Sequence, residues 1–440
     1  MLERRLCGQA AKRGLIPRIP SAERLLADIE TWVREEYPDM VRAMATHPGA
    51  AGEGTERHVA LHPAAPDLRL AADDLGRVTV SAVTIPTGPG YHTFVARLLE
   101  RLGEALAIEW EAPLDADIDP VLGAGLLTLA SGDRPTAERA HLAWLHSTLA
   151  AASAARRRGA RGVHIGTPGD VIFSVDEAIA TALGPRDDDW LERALVEPSV
   201  AIEITPWWAD ATGARYLLDR ANCLLWTHVR WRSPGGEAER ADDDEALRLL
   251  RRALPLDPDL PFPWAAWLEL IELRGFEEPM IEQIRSRAAA GVDPAAGEPD
   301  SAIGYRRRPV TIEHEGWTLE VPGSFAERRT AEEWWGGEGG RNVTIAAVET
   351  AANGRPMAAS TFLDQVAGDL GAEALGHAEG PILGRARLGM DGSSGVGTGV
   401  LDGFSAVTGR GAAIRVQFDD AADWQWAIDM WRALRPVAIG

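Results

Sequence analysis

Lysine is almost missing from this chain. Of the 45 Lys and Arg residues only Lys12 is a lysine, so nearly all positive charge is guanidinium. A Walker-type phosphate loop, a protein-kinase strand lysine, a Schiff-base enzyme and a Ser–Lys hydrolase each need a lysine inside a folded domain, and the composition excludes them. Cysteine is nearly as scarce. Cys7 and Cys223 are too few for a disulfide framework, which points to a reduced, cytoplasmic setting. Apolar runs of roughly eighteen residues are lacking, so no spanning helix is expected, and the first twenty residues lack the apolar core of a signal peptide. Neither H-E-x-x-H nor C-x-x-C occurs, and in Gly389–Gly399 Val396 stands where a nucleophile elbow around Ser394 needs glycine. No metal, cofactor or catalytic residue is therefore assigned.

What is present is acid. Asp plus Glu number 66, and the formal net charge is −21. Such a chain repels nucleic acid and anionic membrane unless a local patch overrides the sum. With 440 residues, 45% of them hydrophobic, it is long enough for several globular domains.

Residues 1–20, with Arg4, Arg5, Lys12, Arg13 and Arg18, read as a basic, disordered leader. From 21 to 289 the pattern predicts an α+β domain. Ser21 caps an amphipathic helix over 22–37 whose stripe is Leu25, Ile29, Trp32 and Val33. A loop is expected at 46–56, strands at 67–71 and 77–84, and helices at 91–108 and 134–158. Short strands are expected at 162–166, 171–174 and 200–204. Residues 209–289 then carry helical periodicity in four stretches, a Trp-rich layer whose middle resembles one tetratricopeptide hairpin. The stretch 290–304, AGVDPAAGEPDSAIG, reads as a linker.

Residues 305–440 read as a second domain, an antiparallel α/β sandwich. Strands are expected at 309–314, 317–321, 342–349, 373–378, 382–389, 396–402, 404–409 and 412–418. A loop is expected at 322–340, and helices at 357–370 and 421–434. The opening Gly316-Trp317-Thr318-Leu319-Glu320-Val321-Pro322, the strand Asn342 to Val348 and Phe362-Leu363 before Val366 form one part of a pattern. The meander from Ile382 to Phe418 and the indoles Trp424, Trp426 and Trp431 complete it. In these residues the domain resembles the Mog1/PsbP-like family, whose relatives act as partners of small GTPases, photosystem subunits and secreted effectors. The resemblance implies a non-enzymatic binding domain and carries over no functional residue.

Five constellations stand out. Gly88-Pro89-Gly90 before a helix at Tyr91-His92 leaves free N–H groups at a positive dipole end, so Gly88, Gly90 and His92 are candidates for an anion. The alternative is a tight turn that needs glycine for its backbone. Glu138 and His141 share a helix face at half of a di-iron spacing, but no second E-x-x-H exists and His146 lies off that face. Trp207, Trp208, Trp226, His228, Arg230, Trp231 and Arg232 combine stacking, cation–π and interface-anchor chemistry. They are a candidate recognition surface, or else a packing seam with the arginines paired to local acids such as Asp219. Asp187–Asp189 and Asp242–Glu245 fit helix starts better than the alternating spacing of a calcium loop. The glycine-rich Gly389–Gly399 reads as a hairpin connection.

The function expected is protein binding, as an accessory, adaptor or chaperone-like protein of bacterial type with Trp and Arg anchors. Enzymatic activity stays open. The alternatives are a hydrolase-like enzyme using the Gly88–His92 turn with His141 or His164, or a small-anion sensor acting through Arg230 and Arg232.

Overall fold

The computed structural model describes residues 4–11, 20–48, 55–111, 133–160, 162–167, 171–175, 178–209, 211–275, 277–290, 302–330, 332–352, 355–367, 370, 374–391 and 398–437. Helices and mostly antiparallel sheets together make an α+β protein. The chain divides into two compact units. One holds 1–168, 175–228 and 243–303, and the other 169–174, 229–242 and 304–440. The main segment of the second unit starts at 304, and the unit also takes in 169–174 and 229–242 from the stretch assigned to the N-terminal domain. Most of the expected linker, 291–301, lies outside the described residues.

The first unit opens with β1 (Arg4–Ala10), α1 (Ala22–Glu36), β2 (Ala43–Pro48), β3 (Thr55–Ala60), β4 (Leu68–Ala72) and β5 (Arg77–Ala82). Then come α2 (Pro89–Leu106), β6 (Ile108–Trp110) and α3 (Arg134–Arg157). The six strands form one antiparallel sheet in the order β2-β3-β4-β5-β1-β6. This corrects the leader expected at 1–20 over Arg4–Ala10; residues 1–3 and 12–19 lie outside the described residues. Leu6 and Ala10 are buried on β1, which pairs Leu6 with Val80 and lies between β5 and β6. Arginines at the chain start masked this alternation. The loop expected at 46–56 is also corrected at its two ends, which belong to β2 and β3. Leu25, Leu26, Ile29 and Val33 bury the inner face of α1, and Ser21 caps it by accepting from the Arg24 N–H.

A second core forms where α3 sends Leu145 and Leu149 toward β7 (Val163–Ile165). Farther along come β8 (Val171–Phe173), which groups with the other unit, β9 (Ile179–Thr181), β10 (Gly184–Arg186) and α4 (Asp188–Val196). Trp190, Leu191 and Ile204 complete that core. The strand expected at 200–204 is instead α5 (Pro198–Ala201) followed by a single 3-10 turn. Pro198 begins the helix, where its fixed φ and missing N–H favour a helix start. The helical layer is α6 (Ala214–Thr227), α7 (Glu237–Ala253), α8 (Trp264–Arg274) and α9 (Ile281–Ala289), close to the expected stretches.

The second unit has β11 (Val310–His314), β12 (Trp317–Val321), β13 (Ala326–Arg329), β14 (Trp334–Glu338) and β15 (Arg341–Glu349). The short pair β16 (Ala351–Ala352) and β17 (Arg355–Pro356), α10 (Ala359–Val366), β18 (Leu375–Glu379) and β19 (Ile382–Asp391) follow. The chain continues through β20 (Thr398–Val407), β21 (Arg410–Phe418), α11 (Trp424–Ala433) and β22 (Arg435–Pro436). Seven of the strands make an antiparallel sheet in the order β13-β14-β15-β21-β20-β19-β18, and a smaller sheet runs β22-β12-β11-β8. Two corrections concern this unit. The loop expected at 322–340 contains β13 and β14, with Trp334 fully buried. The two strands expected at 396–402 and 404–409 are one, β20. On one face of the large sheet Ile345, Leu401, Ile414 and Val416 are buried, and Trp431 of α11 lies close over Gly384 and Gly403. The register puts Phe404 and Ala406 on the other face, where Phe362 and Leu363 of α10 cover only one end.

Candidate functional site

The residues of the expected tryptophan–arginine surface divide between the two units. The division between the units falls after His228, so Trp207, Trp208, Trp226 and His228 belong to the first and Arg230, Trp231 and Arg232 to the second. Trp207 and Trp226 are buried. Trp207 centres an aromatic cluster with Tyr216 (4.4 Å between ring centres), Phe94 (5.2 Å), Tyr91 and His62 (5.5 Å each). Half-buried Trp208 packs near His141 and under the Arg134 guanidinium.

The Gly88–His92 turn is closed rather than open to an anion. Gly90 N–H donates to the Trp207 carbonyl at 3.0 Å, and Trp207 N–H donates to the Thr87 carbonyl at 2.9 Å. Gly88 has φ +124°, and a Cβ there would lie 2.4 Å from the Trp207 oxygen, so both backbone conformation and space require glycine. His92 is buried with Nδ1 2.9 Å from Thr84 Oγ1. His141, offered to a metal or a hydrolase, is also internal. Its Nδ1 donates to the Ile85 carbonyl at 2.7 Å and its Nε2 accepts from Thr205 Oγ1 at 2.8 Å. Burial then holds its pKa down to about 4. Glu138 pairs with Arg134, and His164 lies near Thr167. Among the described residues no group of His, Cys, Asp and Glu is placed to hold a metal.

Of the two acidic runs, Asp187 caps α4 by accepting from Trp190 N–H at 2.6 Å, and Asp188 pairs with Arg156 at 2.8 Å. The run Asp242–Glu245 is not at a helix start but inside α7, which begins at Glu237. Asp243 and Asp244 face Arg274 there, and Glu245 turns inward. Part of Gly389–Gly399, including Ser394, lies outside the described residues; the strands on either side pair as β19 and β20.

In the second unit Arg230 and Arg232 are held by carboxylates. Arg230 Nη1 donates to Glu327 at 3.0 Å, shared with Arg306 at 2.7 Å. Arg232 makes a two-pronged pair with Glu239 (2.8 and 3.0 Å) and lies 3.1 Å from Glu338. Three guanidiniums thus face three carboxylates, and the acids are Glu239, Glu327 and Glu338, not Asp219, which pairs with Arg215. Trp231 sits at φ 57° beneath the Arg307 guanidinium, 3.8 Å from its ring centre, with its indole pressed against Gly304. These residues form a packing knot in which Arg230 Nε and the Trp231 N–H have no hydrogen-bond partner among the described residues.

An open surface lies elsewhere in that unit. On the sheet face that α10 covers only in part, Trp335, Thr344, Ala346, Phe404, Ala413 and Gln417 line a groove of about 460 Å³. All six are half-buried. Arg328 extends over the Trp335 ring at 5.9 Å. Across the groove Arg415 (2.8 Å) and Arg387 (4.0 Å) share one carboxylate, Asp402. Sequence reasoning missed this site because Trp335 lay in the stretch expected to be a loop.

The first unit also holds a buried polar cluster that no motif marks. Arg220, 1% exposed on α6, binds Glu245, which also accepts from Arg42 Nε at 3.0 Å. Its Nη1 reaches Tyr216 Oη at 3.0 Å and Met40 Sδ at 3.3 Å. The visible signal was a charged residue inside an otherwise apolar helix, Tyr216 to Trp226.

No known family profile matches the chain, and no curated protein matches it. Among solved structures the chain is similar to a protein from Bacteroides thetaiotaomicron VPI-5482, at 12% identity and a TM-score of 0.23. The alignment covers 28% of this chain and 46% of that one, so the chain spans under half the length of the structure it matches. A likeness this slight carries no argument about fold or function.

Proposed function

We propose that this is a partner-binding protein whose recognition surface is the open face of the seven-stranded sheet in the second unit. The observation that carries this is the groove over Trp335 and Phe404, an aromatic floor left uncovered on an otherwise packed sheet. Its rim carries three arginines against two acids in a chain of net charge −21: Arg387 and Arg415 share Asp402, and Arg328, above the indole, lies 3.5 Å from Glu333. That chemistry fits a protein partner with acidic side chains around an apolar anchor. The resemblance of the domain to the Mog1/PsbP-like family supports a binding role, and the closed Gly88 turn and internal His141 weaken the hydrolase reading, which keeps only half-buried His164. The anion-sensor reading through Arg230 and Arg232 loses support as well, because their donors face glutamates.

The test is capture from the native host, followed by affinity measurement with each purified partner. Trp335→Ala should weaken a true partner by about 2 kcal/mol, roughly thirtyfold, as loss of an aromatic anchor does. Arg415→Glu should weaken it further at low salt than at high salt. A control substitution at exposed Leu256, in the other unit, should leave affinity unchanged. Failure to capture any partner, or equal binding by wild type and both groove variants, overturns the proposal; a nucleic acid in the captured material would do the same.

A further inference from the structure

We propose that the first unit contains a binding site for a small oxyanion, a carboxylate or phosphate group, built from Arg220, Tyr216, His62 and Tyr91 and now stopped by the Met40 thioether.

The argument is a count of donors and acceptors. Arg220 is buried to 1% exposure, yet its Nη1 finds only the Tyr216 hydroxyl at 3.0 Å and the Met40 sulfur at 3.3 Å. Tyr216 Oη also points its hydrogen to Met40 Sδ, at 3.7 Å. A thioether is a weak acceptor, so a buried guanidinium and a buried phenol both end on a poor partner. His62 is 1% exposed. Its Nδ1 accepts from the Ala64 N–H at 3.1 Å, which leaves the neutral ring's hydrogen on Nε2. Among the described residues Nε2 has no hydrogen-bond partner, and neither has the hydroxyl of Tyr91, which is fully buried. Buried polar groups are rarely left this way, and each costs free energy unless something occupies it.

These donors share one neighbourhood. The rings of His62, Tyr91 and Tyr216 all pack against Trp207, within 5.5 Å of its centre. Burial first, then the fields of Arg220 and Arg42, keeps His62 well below its usual pKa, so it donates without adding charge. Burial first, then the field of Asp67, raises the Tyr91 hydroxyl above its usual range, so it keeps its proton. Glu245 is the acid closest to Arg220, and it is bracketed by Arg220 and Arg42, which limits its repulsion of a second anion. Met40 is only half-buried, and its unbranched side chain has rotors to swing aside. The anion's oxygen would then take the acceptor position the sulfur holds.

The test uses the full chain. Melting is followed while inorganic phosphate, acetate or chloride is added at constant ionic strength. Phosphate or acetate should raise the melting temperature saturably and chloride should not, and the arm that responds identifies the oxyanion. Tyr91→Phe removes a hydroxyl with no partner, so the variant should fold and melt at or above the wild-type temperature without ligand. It should nevertheless need about tenfold more anion, the loss of one hydrogen bond to a charged group. No response beyond the chloride arm overturns the inference, as does an equal response from wild type and Tyr91→Phe. Either result would leave buried water as the occupant of those donors.

Discussion

Two arginine clusters sit in the two units, and their accounting differs. In the second unit Arg230, Arg232 and Arg306 face Glu239, Glu327 and Glu338, charge against charge. In the first, Arg42 and Arg220 converge on the single carboxylate of Glu245, and Arg220 finishes on a phenol and a sulfur. Composition does not separate them, because both combine arginine, acid and aromatic side chains. What separates them is the acceptor at the end of each donor. In the second unit three carboxylates match three guanidiniums, although Arg230 Nε and the Trp231 N–H have no hydrogen-bond partner among the described residues; in the first, one carboxylate serves two guanidiniums and a thioether takes a remaining donor.

The largest effect that tests this contrast is at Glu327. Glu327→Gln leaves Arg230 and Arg306 without their shared anion in a mostly buried setting, and should destabilise the second unit by about 3–5 kcal/mol in denaturant unfolding. Added oxyanion should not restore that loss. Glu245→Gln exposes Arg42 and Arg220 to the same penalty in the first unit, but there phosphate or acetate should recover part of it. Equal rescue at both sites, or at neither, would erase the distinction.

The next effect is pH dependence. His141 has a folded pKa of about 4 against an ordinary 6.5, so folding favours the neutral ring. Its contribution is complete above about pH 6.5 and is lost as pH falls toward 4, a change of about 3 kcal/mol by linkage. His62 acts in the same direction. Asp219 opposes them. Burial raises its pKa to about 6 from 3.8, so its share of stability is present below pH 4 and lost as pH rises through 6. His141→Gln should therefore flatten the decline between pH 6.5 and 4, and Asp219→Asn should steepen it. Unfolding curves measured across pH 4 to 8 check both, and an unchanged slope in His141→Gln would place the titration elsewhere.

These differences trace back to what a sequence can encode locally. The stripe Leu25, Ile29 and Val33 and the alternation Val78-x-Val80 each sit within one element, so periodicity revealed them. Arg4–Ala10 was obscured because its pairing partners lie some seventy and one hundred residues away and its first residues are arginines. Trp334 and Trp335 were assigned to a loop because Gly336 and Gly337 interrupt a strand pattern, although they pair in register with Val343 and Asn342. For the candidate sites the same limit is sharper. Trp226 to Arg232 looked like one surface because the residues are contiguous, yet the chain passes from one unit to the other between His228 and Val229. The groups around Arg220, the acceptor Met40 and the donors His62, Tyr91 and Tyr216, come from separate stretches whose meeting no spacing rule predicts.

The smallest expected effect bears most directly on the contrast. Met40→Leu keeps nearly the same volume and removes only the sulfur that receives Arg220 Nη1 and Tyr216 Oη. Volume-conserving swaps of this kind cost less than about 1.5 kcal/mol, and a thioether contributes little as an acceptor, so the loss without ligand should be under about 1 kcal/mol. The response to oxyanion is the informative part. If sulfur and anion compete for one position, removing the sulfur leaves the Tyr216 hydroxyl hydrogen and one Arg220 Nη1 hydrogen unmet, and the leucine variant should gain more stability from the same anion concentration than wild type does. If Met40 is simply core, the two proteins should respond alike. A leucine variant destabilised by several kcal/mol would show that the sulfur contact is structural, and Arg220 would then belong with the carboxylate-matched arginines of the second unit.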